Sequence, residues 1–224
     1  MMQQPTVIGS PQPAQYSIIF LHGLGGHGDE FVPLIKALAL PDDHTIRFIL
    51  PHADHRAVTI NGGEKMPAWY DITMIGTLDR QVDTQGIQHS VDQVKTLIAQ
   101  EHDKGIAFEN IVVAGFSQGG VIATYTALQF NQALGGVWAL STYAPAWSSL
   151  IQPYEKQVCL QTPFFVAHGQ QDDVVPMTAG KQLVDHLAHL DLSAEWYTYS
   201  MGHEIIPQEV QALRQWLKTQ GWFE

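Results

Sequence analysis

A serine placed between glycines is the residue of this sequence with the clearest chemical potential. Ser117 lies in Gly115-Phe116-Ser117-Gln118-Gly119, a G-x-S-x-G pattern whose small flanks let a serine stand on a sharp turn from strand to helix. A neutral serine hydroxyl is a weak nucleophile, so it needs a base, and the base needs a carboxylate that orients it. Such a set would support acyl transfer through a covalent serine intermediate.

Candidates for the base and the carboxylate follow Ser117 in the chain. His203 comes after the last apolar strand-like run, and Asp172 and Asp173 come after the run before it. Because the carboxyl ends of parallel strands meet at one sheet edge, where open α/β sheets bind ligands, we expect these side chains to lie near Ser117. The order Ser, Asp, His is the one found with this serine motif. Spacing alone does not decide between Asp172 and Asp173.

A glycine-rich loop after the first strong strand-like run predicts a second part of the same site. The loop spans residues 22–25 and precedes a predicted helix over 29–40. Acyl transfer needs two N–H donors for the developing oxyanion. We expect them from Gln118, directly after the serine, and from Leu24 in the loop. A phosphate loop is excluded, because the sequence lacks G-x-x-x-x-G-K-[ST] and does not complete a dinucleotide fingerprint.

Short apolar runs that alternate with segments of helical periodicity predict the elements that position these residues. Between residues 87 and 98, apolar residues recur every three or four positions. The alternation predicts an α/β fold in a single domain, with a mostly parallel central sheet and helices on both faces. The predicted strands are 16–20, 45–50, 111–115, 136–140, 163–167 and 195–200.

Two segments lie outside this alternation. Residues 1–15 are rich in proline and glutamine, which predicts a loose N-terminal arm before a domain over 16–224. Residues 52–83 lack periodicity and carry aromatic side chains, a pattern typical of lid or substrate loops. We expect Trp69 in this segment to form an apolar wall of an acyl site. A role in packing the loop onto the body explains Trp69 nearly as well.

Bulk composition excludes several classes of function. The chain has 224 residues, a net charge of −11 and no basic run, which argues against binding to nucleic acid or to anionic membranes. The single cysteine, Cys159, excludes an intramolecular disulfide and is interpreted as a small buried residue. We find neither a signal-peptide pattern nor an apolar stretch near the roughly 20 residues of a membrane span, and therefore expect a cytoplasmic protein.

Eleven histidines raise the question of a metal site. The pairs His52/His55 and His186/His189 have i, i+3 spacing, and only the second lies on a predicted helix. No cysteine or carboxylate cluster completes either pair as a zinc ligand set. We therefore predict no metal and no other cofactor.

The motifs together resemble those of a known family, in its order and approximate spacing. They are similar to the small carboxylesterase, acyl-protein thioesterase and lysophospholipase-like group of the α/β-hydrolases, especially its bacterial carboxylesterases, over nearly the whole chain. Gly26 and His27 depart from the usual residues after His-Gly-Leu-Gly, outside the residues of the chemistry. The matching segments are LHGLG at 21–25, MPAWYD at 66–71, GFSQGG at 115–120, LSTY at 140–143, HGQQDDVVP at 168–176 and MGHE at 201–204.

The resemblance implies an α/β-hydrolase fold and assigns the roles of the site residues. It identifies Asp172, the fifth residue of His-Gly-x-x-Asp, as the catalytic acid, and it supports Leu24 and Gln118 as oxyanion donors. It also implies a two-step mechanism without a cofactor. Ser117 attacks an ester or thioester carbonyl while His203 takes its proton, and water then hydrolyses the acyl-enzyme.

We therefore predict a serine carboxylesterase for short to medium acyl chains. The alternative is an acyl-protein or acyl-CoA thioesterase, or a lysophospholipase, that uses the same site. A serine peptidase is less favoured, because such peptidases usually carry an extra domain, and an intact triad argues against a binding module without activity. The expected partner is a small-molecule ester or thioester, with no nucleic acid and no stable membrane association; a homodimer is left open.

Overall fold

A seven-stranded sheet forms the centre of the computed structural model, which describes residues 3–75, 80–151 and 161–224. The strands are β1 (Thr6–Ile8), β2 (Tyr16–Leu21), β3 (Ile46–Leu50), β4 (His55–Val58), β5 (Glu64–Pro67), β6 (Ile72–Ile75), β7 (Arg80–Val82), β8 (Ile111–Phe116), β9 (Gly136–Leu140), β10 (Phe164–Gly169) and β11 (Ala194–Tyr199). The order in the large sheet is β1-β3-β2-β8-β9-β10-β11, with only β1 antiparallel to its neighbour. The six predicted strands all lie in this sheet, within two residues of their predicted ends.

Helices cover both faces of the sheet. The described helices are α1 (Val32–Ala37), α2 (Thr84–Asp103), α3 (Gln118–Leu128), α4 (Trp147–Leu150), α5 (Met177–His189) and α6 (Pro207–Thr219). Alternate side chains of a strand point to opposite faces, so Ile19 and Leu21 pack with α2, α3 and α5, while Ile18 and Phe20 pack with α1 and α6. The predicted α/β architecture, a mostly parallel central sheet with helices on both faces in a single domain, is confirmed. None of the helices in the described ranges combines the length and apolar character needed to cross a bilayer.

The predicted helix over residues 29–40 is shorter and less regular than its pattern suggested. It begins as a 3-10 turn over Gly28–Phe31 and continues as α1. Pro33 lies in the first turn of α1, where its missing N–H costs no helical hydrogen bond. Ala39 has a φ of 45°, a left-handed conformation that ends the helix.

The N-terminal residues are better ordered than the loose arm predicted for 1–15. Thr6–Ile8 forms β1 and pairs antiparallel with β3, with Thr6 opposite Leu50 and Ile8 opposite Phe48. Three β-branched residues in a row suit an edge strand, but a run of three is too short to show an alternating pattern in the sequence. The prediction is therefore wrong for this part of the arm.

The described residues of the segment 52–83 include two antiparallel strand pairs. Strands β4 and β5 pair antiparallel around a 3-10 turn over Thr59–Asn61, and β6 pairs with β7. Gly62 and Gly63 have φ values of 69° and 80°, which glycine adopts at no steric cost. Residues 76–79 lie outside the described residues, as does Cys159, and the interpretation of 52–83 as a lid stays a prediction.

Candidate active site

Ser117 stands on a strained turn between β8 and α3. Its φ of 53° and ψ of −118° lie where non-glycine residues are rare and cost about 1–3 kcal/mol. A Cβ on Gly115 would overlap the carbonyl of Gly119, and a Cβ on Gly119 would overlap the carbonyl of Leu21. The two glycines of the motif are therefore required, because β8, α3 and β2 approach one another too closely for any side chain.

Hydrogen bonds from β9 and the residues after it hold the strained backbone. The Ser117 N–H donates to the Leu140 carbonyl (2.9 Å), and the Thr142 hydroxyl donates to the Ser117 carbonyl (2.7 Å). A Cβ on Gly120 would lie only 2.6 Å from the Thr142 Cβ. The LSTY segment thus supports the turn from one side.

Three side chains meet at the carboxyl edge of the sheet in a continuous chain of hydrogen bonds. His203 follows β11 and its Nε2 lies 2.9 Å from Ser117 Oγ, while its Nδ1 lies 2.7 Å from Asp172 Oδ2. A carboxylate only accepts hydrogen bonds, so Nδ1 carries the proton and Nε2 is free to accept the proton of the serine. The structure brings together the three predicted residues Ser117, Asp172 and His203.

The environment of Asp172 keeps its carboxylate charged. Burial alone would raise the pKa of Asp172, but hydrogen bonds from His203 and from the N–H groups of Val175 and Val174 outweigh it and lower the pKa. Oδ1 accepts the two backbone bonds, at 2.7 Å from Val175 and 3.0 Å from Val174. Asp173 is exposed, so the structure places Asp172 rather than Asp173 against the histidine.

Two backbone N–H groups next to Ser117 are available for an oxyanion. Leu24 and Gln118 donate no hydrogen bond among the described backbone contacts of loops and caps, whereas the Gly25 N–H donates to the Pro67 carbonyl (2.8 Å). Gln118 is the first residue of α3, whose dipole favours negative charge at that end. The loop at 22–25 also packs against the turn that carries Ser117, since a Cβ on Gly23 would be 3.5 Å from the Ser117 Cβ.

Comparison with known proteins adds to this geometry. A model of the phospholipase/carboxylesterase family matches residues 2–220. The chain belongs to this family. The match confirms the resemblance that the motifs indicated, and it makes the protein a hydrolase of the esterase and thioesterase type.

Individual relatives match over the same extent. Acyl-protein thioesterase 1 of Gibberella zeae is 33% identical over 225 residues, which cover 96% of this chain and 95% of the relative. Acyl-protein thioesterase 1 of Saccharomyces cerevisiae is 35% identical over 215 residues, or 92% of this chain and 93% of the relative. The crystal structure of Zea mays acyl-protein thioesterase 2 has a TM-score of 0.85 at 29% identity, covering 96% of this chain and 98% of that one.

In this member of the family, the MPAWYD segment holds together the start of α3 and the loop at 22–25, from which the oxyanion donors are expected. The Gln118 side chain accepts from the Trp69 N–H through Oε1 and donates to the Tyr70 carbonyl through Nε2, both at 2.8 Å. The Trp69 indole N–H donates to the His22 carbonyl (2.8 Å), and the Ser90 hydroxyl donates to the Trp69 carbonyl (2.5 Å). We call Gln118, Trp69 and His22 the clamp.

The clamp corrects the expectation for Trp69. Its side chain is 1% exposed and belongs to the main core cluster, so it presents no wall to a substrate. The indole can be buried without loss of a hydrogen bond, because its N–H donates to the His22 carbonyl. The sequence offered two signals, an aperiodic segment with aromatic side chains and the position of Trp69 in a family motif, and neither could separate a wall from a support.

Two buried histidines support the loops of the site in their neutral form. Burial lowers the pKa of His22 to about 4, although its hydrogen bond to the Gly23 carbonyl opposes the shift. His22 Nδ1 donates to that carbonyl at 2.7 Å, and its Nε2 accepts from the Ala53 N–H at 3.0 Å. Burial likewise lowers the pKa of His168, whose Nε2 donates to the Val175 carbonyl (2.8 Å).

The histidine pairs considered as metal ligands lie in other surroundings. His186 stacks on Trp147 at 4.6 Å, and His189 Nδ1 bonds the Asp185 carbonyl at 2.6 Å. His52 contacts His27 at 3.3 Å between their Nδ1 atoms. Within the described residues, no group of three or more His, Cys, Asp or Glu side chains is placed to hold a metal ion.

An open groove of about 590 Å³ lies between α1 and α6 beside His203, and none of the clamp residues lines it. Sequence reasoning missed it, because its walls come from segments far apart in the chain. We call it the α1–α6 groove. Its walls are formed by Gly23, Leu24, Gly26, Glu30, Phe31, Pro33, Leu34, Ala37, Phe116, His203, Glu204, Ile205, Ile206, Pro207, Val210 and Gln211.

Proposed function

We propose that the protein is a thioesterase that hydrolyses acylated thiols through an acyl-enzyme on Ser117, with carboxylic esters as second substrates. The hydrogen-bond chain from Ser117 Oγ through His203 to Asp172 carries the proposal. The curated relatives named above are acyl-protein thioesterases, which favours thioesters, and the family description favours esters. Both reactions use the same atoms.

In the first step, Ser117 Oγ attacks the carbonyl carbon of the substrate and passes its proton to His203 Nε2. The carbonyl oxygen becomes an oxyanion that accepts hydrogen bonds from the Leu24 and Gln118 N–H groups. The bond from carbon to sulfur, or to oxygen in an ester, then breaks with its electron pair on the leaving atom. His203 donates its proton to that atom, which leaves as a thiol or an alcohol.

In the second step, water replaces the leaving group. His203 Nε2 takes a proton from the water as its oxygen attacks the acyl-enzyme, and the same two N–H groups hold the oxyanion. Collapse releases the carboxylic acid and returns the proton to Ser117 Oγ. Asp172 keeps the Nδ1 proton in place through both steps and stabilises the charged imidazole, and no cofactor takes part.

Two substrates and one variant test this proposal. An S-ethyl and an O-ethyl ester of the same octanoyl group differ only at the leaving atom, and both should be hydrolysed, the thioester with the higher kcat/KM. Ser117→Ala should lower kcat on both by at least about 10³-fold while the circular dichroism spectrum stays unchanged. Turnover by Ser117→Ala near the wild-type rate would overturn the proposal, and a clear preference for the oxygen ester would make the protein an esterase first.

The remaining expectations about the protein stay predictions. These are a cytoplasmic location and the question of a homodimer. A sedimentation measurement of the purified chain would determine the second.

A further inference from the structure

We propose that the α1–α6 groove binds the leaving group of the substrate, and that this leaving group is apolar near its sulfur and neutral or positively charged beyond it. This inference rests on the proposed function and defines its substrate class more closely. Among the alternatives considered from the sequence, it disfavours acyl-CoA, whose leaving group carries several phosphate charges.

The position of His203 decides which half of the substrate the groove holds. His203 lines the groove and must donate its proton to the leaving atom, so the leaving group has to lie beside its Nε2. The loop with Gly23 and Leu24 also lines the groove, and no described residue of the segment 52–83 does. A chain attached to the leaving atom therefore enters the groove as it extends away from Ser117.

The groove has the size and surface of a site for an apolar chain. Its volume of about 590 Å³ lies in the range of roughly 300–1,000 Å³ for small-molecule sites. Leu34, Ile205 and Ile206 are only half-buried, although Leu34 and Ile205 pack against the core cluster of α1 and α6. Apolar side chains left uncovered beside a reactive serine are best explained by the substrate that covers them.

The charge at the groove selects against anions. Glu30 and Glu204 line it and are exposed, and no lysine or arginine is among its lining residues. In the described part of the chain, Lys and Arg form ion pairs with Glu101 and Asp185, and none with Glu30 or Glu204. With a net charge of −11 for the whole chain, these two carboxylates attract a cationic leaving group and repel an anionic one.

The first test varies the leaving group and the acyl group separately. One series keeps a butanoyl group and changes the thiol from ethanethiol to hexanethiol; the other keeps ethanethiol and changes butanoyl to octanoyl. Ala37→Trp fills the groove from an exposed position at the end of α1, and Gln215→Trp places the same side chain on an exposed part of α6 outside the groove. Melting curves establish that both variants fold.

The inference predicts an effect in the first series only. For the wild type and Gln215→Trp, kcat/KM should rise at least about tenfold from the ethyl to the hexyl thiol, since each buried methylene contributes up to about fourfold. For Ala37→Trp, the ratio of kcat/KM for the hexyl thioester to kcat/KM for the ethyl thioester should fall close to one. Loss of the acyl-length dependence instead would make the groove the acyl site, and no change in either series would leave the groove without a role; both results overturn the inference.

The second test measures charge. Thioesters of 6-aminohexanethiol and 6-mercaptohexanoic acid have equal length and opposite charge, and the wild type should prefer the first by about five- to tenfold at low salt, less with added NaCl. The double variant Glu30→Gln, Glu204→Gln should bring this ratio close to one. A ratio is compared within each variant, so any change in basal rate cancels. Equal rates for the two thioesters in the wild type would contradict the charge selection.

These outcomes separate the two proposals. If the wild type hydrolyses S-ethyl butanethioate and Ser117→Ala does not, the proposed function stands whatever the leaving-group series shows. A flat leaving-group series then overturns the groove inference alone. Hydrolysis that does not depend on Ser117 overturns both.

Discussion

The clamp and the α1–α6 groove differ in how far their side chains are buried and hydrogen-bonded. On the clamp side, the Gln118 side chain, the Trp69 indole and the His22 ring are buried, and each makes the hydrogen bonds described above. On the groove side, apolar side chains are half-exposed and two carboxylates at the rim face solvent. The comparison suggests that the clamp fixes the chemistry, which needs rigid donors, and that the groove is left open for the part of the substrate that varies.

The largest effect is expected from the carboxylate that orients His203. Asp172→Asn should lower kcat by about 10⁴-fold, as in the serine-protease example of a triad whose histidine loses its correct tautomer. The loss should be equal for all leaving groups, because it acts on the proton transfer and not on the groove. Asp173→Asn is the matched control, and steady-state kinetics with two thiols measures both. Equal losses in the two variants would contradict the assignment of Asp172.

Removal of the buried indole should affect stability more than specificity. Trp69→Ala should lower the free energy of unfolding by about 3–5 kcal/mol, since a large side chain leaves a cavity in the core. The dependence of kcat/KM on acyl length should stay as in the wild type for the folded fraction. Denaturant melts and the ester series measure the two effects on one variant. An altered acyl preference without loss of stability would restore the wall role that the sequence first suggested.

A buried carboxyl on the groove side should make stability depend on pH. Glu209 in the first turn of α6 is fully buried, and no side chain of the described residues donates a hydrogen bond to its oxygens. Burial raises the pKa of Glu209 to about 8, although a backbone hydrogen bond at Ile206 opposes the shift. The neutral form therefore persists in the folded protein where the unfolded chain is already ionised.

The sign of this pH effect follows from the raised pKa. The contribution of Glu209 is fully present below its ordinary pKa of 4.5 and is lost as the pH rises towards about 8. Glu209→Gln should thus match the wild type near pH 4 and be more stable at pH 7, by up to about 3 kcal/mol. Melting temperatures of both proteins at several pH values measure it. A difference that does not change with pH would contradict the buried neutral carboxyl.

The smallest of these effects is expected when the Gln118 side chain is removed from the clamp, because the backbone N–H of residue 118 remains. Gln118→Ala retains the Gln118 N–H but releases Trp69 and Tyr70, so we expect kcat to fall about 10- to 100-fold through misplaced donors. The loss should be the same for ethyl and hexyl thiols. Gln129→Ala removes a hydrogen-bonded glutamine at the other end of α3 and should leave kcat unchanged. A loss that grows with the length of the thiol would place Gln118 in substrate binding instead.

The sequence predicted the meeting of Ser117, Asp172 and His203 well and their surroundings poorly, for physical reasons. Ser117, Asp172 and His203 follow strands whose apolar runs are unmistakable, and strand ends meet at one edge whatever the rest of the fold does. The groove could not be predicted, because Leu34 and Val210 show the same helical spacing whether they face the core or a cavity. The clamp depends on the hydrogen bonds of the Trp69 indole and the Gln118 amide, and the spacing of apolar residues in a sequence carries no information about such bonds.

Covalent labelling tests the central claim, that Ser117 is the nucleophile of a triad, most directly. The wild type, treated with a fluorophosphonate, should gain the mass of one adduct, and peptide mapping should place it on Ser117. Ser117→Ala should gain none, and Asp172→Asn should react far more slowly because His203 no longer activates the serine. An adduct on another serine, or equal labelling of Ser117→Ala, would contradict the account.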